Sequence, residues 1–292
     1  MSGLRPWVLA ARPATLWASA APVAVGAGLA WGDGVFRWDA FVVAMGAALL
    51  INIGANFAND ASDARRGADG PARIGPTRAV ASGLISERAM WIAVGVVFAL
   101  AAAGGVYLAV IAGWPVLAIG AASLAAAVTY TGGPRPYGYL GLGEAAVFVF
   151  FGLAATVGSR FVHDASAPAA AWLLAVPMGL TATAILVANN VRDGDTDRAA
   201  GKRTLAVVLG RQGGRVLYVG LVAGALVTLA VVAGLGAVPR LCLLGLLAAP
   251  LAVPMAAAIL REREGPALIR ALRGTARLHA LFGSLIALGA AL

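Results

Sequence analysis

Charge is scarce in this sequence. Asp, Glu, Lys and Arg make up 12% of its 292 residues, whereas 61% are hydrophobic and the mean hydropathy is +0.87. A soluble domain of this length has no interior large enough to hide so much apolar surface, which excludes one. Cysteine is nearly absent. Cys242 stands alone in an apolar run, so no intramolecular disulfide is possible. Histidine is limited to His163 and His279, both read as structural. Lysine is rarer still, with Lys202 the single one against 21 arginines. The net charge of +9 therefore does not point to nucleic acid as a partner. In a chain this apolar, basic loop residues set membrane orientation.

The chain reads as one transmembrane domain over residues 1–292, all-α and polytopic. A run of about 20 apolar residues crosses a bilayer as a helix. Nine such runs are predicted: Ala14–Ala30, Ala40–Ala58, Ala89–Ile111, Trp114–Thr131, Leu142–Gly158, Ala169–Val191, Gly214–Gly234, Leu241–Leu260 and Thr275–Leu292. Arg5 and Arg12 precede the first run, which reads as a helix of the bundle and not as a cleavable leader. With nine spans, every basic residue except Arg37, Arg160 and Arg240 falls on one side. The positive-inside rule makes that side the cytoplasm. It carries the N-terminus and the two longest polar connections, and the C-terminus lies opposite, in a cell-membrane protein surrounded by lipid.

Of the thirteen acidic residues, six gather in two short stretches. The first, NIGANFANDASDARRGAD, runs from Asn52 to Asp69, and the second, NNVRDGDTDRAAGK, from Asn189 to Lys202. Asn52, Asn56, Asn59/Asp60 and Asp63 recur at helical spacing on one face, and so do Asn189, Asp193 and Asp197. Asp69 lies off that face, so the chain must turn at Gly67 to bring it in. Asp195 points elsewhere. Polar side chains at the ends of apolar spans are costly, and clustered carboxylates repel unless a cation neutralises them. An oxygen-only donor set favours a hard cation, with magnesium the first choice because it binds through a few carboxylates and a substrate's phosphates. Lys202, Arg65, Arg78 and Arg135 lie beside the acids as phosphate contacts. Metal, phosphate and an apolar bundle together suggest an isoprenoid diphosphate.

Four stretches carry a likeness: NDASDARRGAD at Asn59–Asp69, RIGPTRAVASG at Arg73–Gly83, YTGGPRPYGYLGLGE at Tyr130–Glu144 and NNVRDGDTDRAAGKRTLAVVLG at Asn189–Gly210. They resemble the UbiA superfamily of intramembrane prenyltransferases, and within it the MenA-like branch, the 1,4-dihydroxy-2-naphthoate polyprenyltransferases of menaquinone synthesis. The resemblance covers the whole chain. It implies nine helices around a central cavity, capped on the cytosolic side by two aspartate motifs. The metal set becomes Asn59, Asp60, Asp63, Asp69, Asp193 and Asp197, and the catalytic set Asp63, Asp193, Asp197 and Lys202. Arg12, in the ARP segment, can face the carboxylate of the aromatic acid, with Asn56, Tyr130 and Asn189 around the same substrate. Phe57, Tyr130 and Phe148 offer aromatic faces to an allylic cation. Ser62 is a departure, because this branch often carries an aromatic residue or glycine there.

Two rival readings compete. A transporter or channel could use the same stripes as an ion path, but it would want charge near mid-membrane and on both sides. A prenyltransferase of another aromatic acceptor, such as 4-hydroxybenzoate or homogentisate, would share the fold.

Overall fold

The computed structural model describes residues 3–67, 77–261 and 266–292, and all regular structure among them is helical. Asp69 and Arg73 lie outside the described residues. Helix α1 (Arg5–Ala11) and helix α2 (Trp17–Gly32) meet at a 53° bend. Arg12 sits at the bend with φ +53°. A residue before proline is pushed out of the helical region, and Pro13 does this to Arg12. Helices α3 (Trp38–Arg65), α4 (Glu87–Ala112) and α5 (Pro115–Thr129) follow. Then come α6 (Gly143–Asp164), α7 (Ala169–Ala199), α8 (Gly210–Gly234), α9 (Arg240–Arg261) and α10 (Pro266–Ala291).

Six helices are long and apolar enough to cross a bilayer: α3, α4, α6, α7, α8 and α9; the bent α1–α2 pair makes a seventh if it is one span. The nine expected spans are thus not all reached by this measure. Helix α5 has only 15 residues. Helix α10 is long, but Arg270, Arg273 and Arg277 crowd its first half.

Helix α7 is the centre of the bundle and packs against α2, α6, α8 and α10. About two-thirds of its most apolar window (67%) is buried inside the protein, against 17% for α4, whose aliphatic side chains face outward. Small residues let helix backbones touch where packing replaces the hydrophobic drive. Gly28 and Gly32 are the sharpest case. A Cβ on either would fall 2.4 and 2.3 Å from the carbonyl oxygens of Ala287 and Ala290 on α10. Helix α6 contains a π-helical stretch, Phe148–Ala154, fitted against α7 where Gly152 meets Gly179. Such wider turns recur at functional sites.

The two ends of the bundle differ. At the end away from the acidic stretches, Arg160 is paired with Asp33 and Asp164, and Arg37 with Asp39. Both arginines are thereby neutralised locally. His163 accepts the Arg37 backbone N–H here at 2.9 Å. His279 lies fully buried in α10 against the Thr181 hydroxyl. Both histidines belong to the packing.

Candidate active site

A cavity of about 370 Å3 opens among α2 to α7. Its shaft is lined by small and aliphatic residues such as Ala44, Ala48, Ile51, Gly120 and Ala127, and its mouth by the polar ends of α3 and α7. Both helices run past their apolar spans, α3 to Arg65 and α7 to Ala199, so each acidic stretch is carried on helix. The stripe spacing therefore survives in three dimensions. Asn52, Asn56, Asn59 and Asp63 line the cavity from one wall, and Asn189, Asp193 and Asp197 from the other. The chain turns at Gly67, whose φ is +67°.

Asp63 is buried and held by three residues. The Tyr139 hydroxyl donates to Oδ1 at 2.8 Å, Arg78 donates to Oδ2 at 3.2 Å, and Lys202 Nζ lies 3.4 Å from both oxygens. Lys202 Nζ is also 3.6 Å from Asp197, and it stands over the Tyr139 ring at 4.8 Å from its centroid. One ammonium thus bridges the two acidic helices, which places both carboxylate ends around one point. Burial, and next the Asp63 charge, raise the Tyr139 hydroxyl, so it stays a donor at physiological pH. Burial pushes the Tyr137 hydroxyl up to about 12, and it donates to the Ala126 carbonyl at 2.9 Å.

Asp193 is held differently. Arg192, fully buried at its side chain, donates to Oδ1 at 2.7 Å and Oδ2 at 2.6 Å, and reaches Asn189 Oδ1 at 2.8 Å. Asn59 accepts the Thr131 hydroxyl at 2.8 Å. Asn56 donates to the Ala11 carbonyl at 3.0 Å, tying α3 to the bend that presents Arg12 to the cavity.

Of the expected residues, the structure brings together Arg12, Asn56, Asn59, Asp63, Arg78, Tyr130, Asn189, Asp193, Asp197 and Lys202, all on the cavity wall. Asp60 is not among the lining residues. It is buried behind the wall, where its two oxygens accept the backbone N–H groups of Ala79 and Val80 at 3.1 and 2.9 Å. It therefore anchors the returning chain next to Arg78 and is turned from the other carboxylates. Arg65 and Arg135 are exposed and line no part of the cavity. Asp195 is exposed and paired with Arg198 and Arg211. Phe57 packs edge-on against Trp7, and Phe148 packs on Gly179, so neither faces the cavity; Phe150, Phe151 and Phe161 do.

Sequence reasoning missed Tyr139, Thr131 and Asn190, which line the cavity, and gave Arg192 to topology alone. A second asparagine in the Asn189–Asn190 pair was the one available signal.

The donor chemistry fits a hard cation: carboxylate and amide oxygens, with no histidine or cysteine beside them. Among the described residues no three His, Cys, Asp or Glu side chains are grouped closely enough to cage an ion. Magnesium does not need such a cage, because it binds through one or two carboxylates plus phosphates and keeps its waters. Asp63 and Asp197, already sharing the Lys202 ammonium, are carboxylates of that kind.

The profile of the UbiA prenyltransferase family matches residues 19–282. The chain is 42% identical over 278 residues to a 1,4-dihydroxy-2-naphthoate octaprenyltransferase of Mycobacterium tuberculosis, covering 94% of this chain and 93% of that protein. It is 38% identical over 292 residues to the 1,4-dihydroxy-2-naphthoate octaprenyltransferase of Escherichia coli, covering 97% and 95%. Among solved structures, the fold matches an apo UbiA homolog from Aeropyrum pernix with a TM-score of 0.73 at 17% identity, over 93% of this chain and 96% of that one. It also matches a UbiA homolog from Archaeoglobus fulgidus bound to DMAPP and Mg2+, with a TM-score of 0.65 at 16% identity, over 96% and 98%. The apolar helices and the family together make this a multi-pass membrane protein. Sequence profile, full-length relatives and fold converge: the chain belongs to the UbiA prenyltransferase family.

Proposed function

We propose that this protein transfers a polyprenyl group from an all-trans polyprenyl diphosphate to 1,4-dihydroxy-2-naphthoate. Carbon dioxide and pyrophosphate leave, and the product is the quinol, demethylmenaquinol, which is oxidised to demethylmenaquinone outside this reaction. The observation that carries this reading is the Lys202 bridge, which brings the carboxylate ends of α3 and α7 to one point at the mouth of a long apolar cavity. The relatives' shared activity supports the acceptor.

Asp63, Asp193 and Asp197, with Asn59 beside them and Asp69 expected to join, would hold magnesium. Magnesium, when bound, supplies positive charge against the negative charge that builds on the diphosphate as the allylic C–O bond breaks. Arg78 and Lys202 stand at the same mouth and bind phosphate oxygens as donors. Arg12 faces the cavity beside Asn56 and binds the acceptor's carboxylate. The shaft excludes water from the allylic cation, and the Tyr130, Phe150 and Phe151 faces line its path. The mouth faces the cytoplasm of a cell membrane, with the N-terminus on the same side, in keeping with the basic residues gathered there.

The test is direct. Purified protein incubated with dihydroxynaphthoate, a polyprenyl diphosphate and magnesium yields the prenylated, decarboxylated product by mass. No product with this acceptor, together with product from 4-hydroxybenzoate, overturns the substrate. Cation flux in liposomes without pyrophosphate release overturns the enzyme.

A further inference from the structure

We infer that Glu144 is a positioning residue for the acceptor: it fixes the Asn190 amide so that the oxygen, not the nitrogen, meets a ring hydroxyl. The inference rests on the proposed reaction and names a polar contact within it.

Glu144 lies in the first turn of α6 and is 5% exposed, yet it lines no part of the cavity. Its Oε1 accepts from Asn190 Nδ2 at 2.9 Å, and its Oε2 is buried without a hydrogen-bond partner. A carboxyl group kept inside a bundle with half its capacity unused calls for an explanation beyond packing. The contact itself sets the amide's orientation, because the nitrogen of Asn190 is the atom that donates to Oε1. With its NH2 committed to Glu144, Asn190, which lines the cavity, keeps Oδ1 as the atom available to a ligand. Asn190 precedes Asp193 by three residues on α7, so it sits about 4.5 Å, just under one turn, below the carboxylate that faces the diphosphate. The reacting carbon and the acceptor ring meet at that depth. The chemistry selected there is a hydroxyl-bearing arene, and an arene without that donor would leave the buried amide oxygen unanswered.

The test uses full-length protein in detergent, with two readouts: equilibrium binding of dihydroxynaphthoate alone, and KM for each substrate. Glu144→Ala and Asn190→Ala should each weaken acceptor binding about tenfold, the worth of one hydrogen bond. The KM for the polyprenyl diphosphate should stay within about twofold of its starting value. Glu144→Gln, whose amide oxygen still accepts from Nδ2, should restore most of the acceptor affinity. The Glu144→Ala/Asn190→Ala double variant should be no worse than Asn190→Ala. A dihydroxynaphthoate analogue with methylated hydroxyls should bind weakly to the wild type and lose nothing further in Glu144→Ala. Unchanged acceptor binding in Glu144→Ala, an equal shift in both substrates, or additive losses in the double variant overturns the inference. If Glu144→Ala does not fold, Asn190→Ala and the methylated analogue decide it. Wild-type turnover of a different hydroxylated acceptor sinks the substrate reading alone, and the same variants then test Glu144 with that acceptor.

Discussion

At the end of α3, Asp63 is held by side chains that arrive from elsewhere in the chain: Arg78, Tyr139 and Lys202. At the end of α7, Asp193 is held by Arg192, its immediate neighbour, and by Asn189 one turn back. One carboxylate is built into its own helix, and the other waits for three segments to close on it. Lys202 joins the two ends, because it follows α7 by three residues and reaches back to Asp63. The lesson is that similar acidic stripes can differ in what orders them. The Arg192 and Asn189 contacts of Asp193 lie within α7, whereas Arg78, Tyr139 and Lys202 reach Asp63 from other segments.

The largest expected effect treats both ends alike. Asp63→Ala and Asp193→Ala should each cut product formation about a thousandfold, read by product mass, while the protein remains folded in detergent. Turnover retained in both removes the metal assignment.

Stability should separate the ends. Arg192→Leu takes away the buried partner that grips both oxygens of Asp193, at a cost of about 3 kcal/mol in thermal unfolding. Arg78→Leu leaves Tyr139 and Lys202 on Asp63 and should cost about 1 kcal/mol. Equal losses would break the comparison.

Asp60→Asn sharpens it. One of the two backbone N–H groups at Ala79 and Val80 loses its acceptor, at about 1 kcal/mol, and Arg78 next to them loses its placement. The KM for the diphosphate should rise about fivefold, and Arg78→Leu in the same chain should add little to it. Full additivity would mean that Asp60 acts independently of Arg78.

The smallest effect is expected at Asp195→Asn. This carboxylate is exposed and its pairs with Arg198 and Arg211 are on the surface, so stability should move by less than about 0.5 kcal/mol and activity not at all. A marked loss of activity would put Asp195 into the site.

Much of the site was legible because helical periodicity is local. Asn52, Asn56, Asn59 and Asp63 had to share a face once their stretch was helical, and so did Asn189, Asp193 and Asp197. The same spacing that sets Asp63 on the cavity wall turns Asp60 behind it. Adjacent residues on a helix point about 100° apart, and what stands opposite Asp60 is the backbone of a chain that returns 19 residues later. The aromatic residues were harder still. Phe57 and Phe148 are no different in kind from Phe150 and Phe151, and only packing decides which rings turn inward. The span count shows the limit of apolar runs as evidence, because length and charge within α5 and α10 fall outside the simplest picture of a crossing helix.

Composition and short-range spacing alone determined that the chain is a helical membrane bundle with two carboxylate stripes at the ends of apolar helices. Both follow from the cost of placing charge and unpaired backbone in hydrocarbon, which each segment meets by itself. The partners of Asp63, the turning away of Asp60, the Lys202 bridge and the Glu144–Asn190 contact were decided only by the tertiary structure. Apart from the local Lys202–Asp197 contact, these pairs lie between 15 and 139 positions apart, and no local preference aims one side chain at another across that distance; the closing of loops and the packing of helices do.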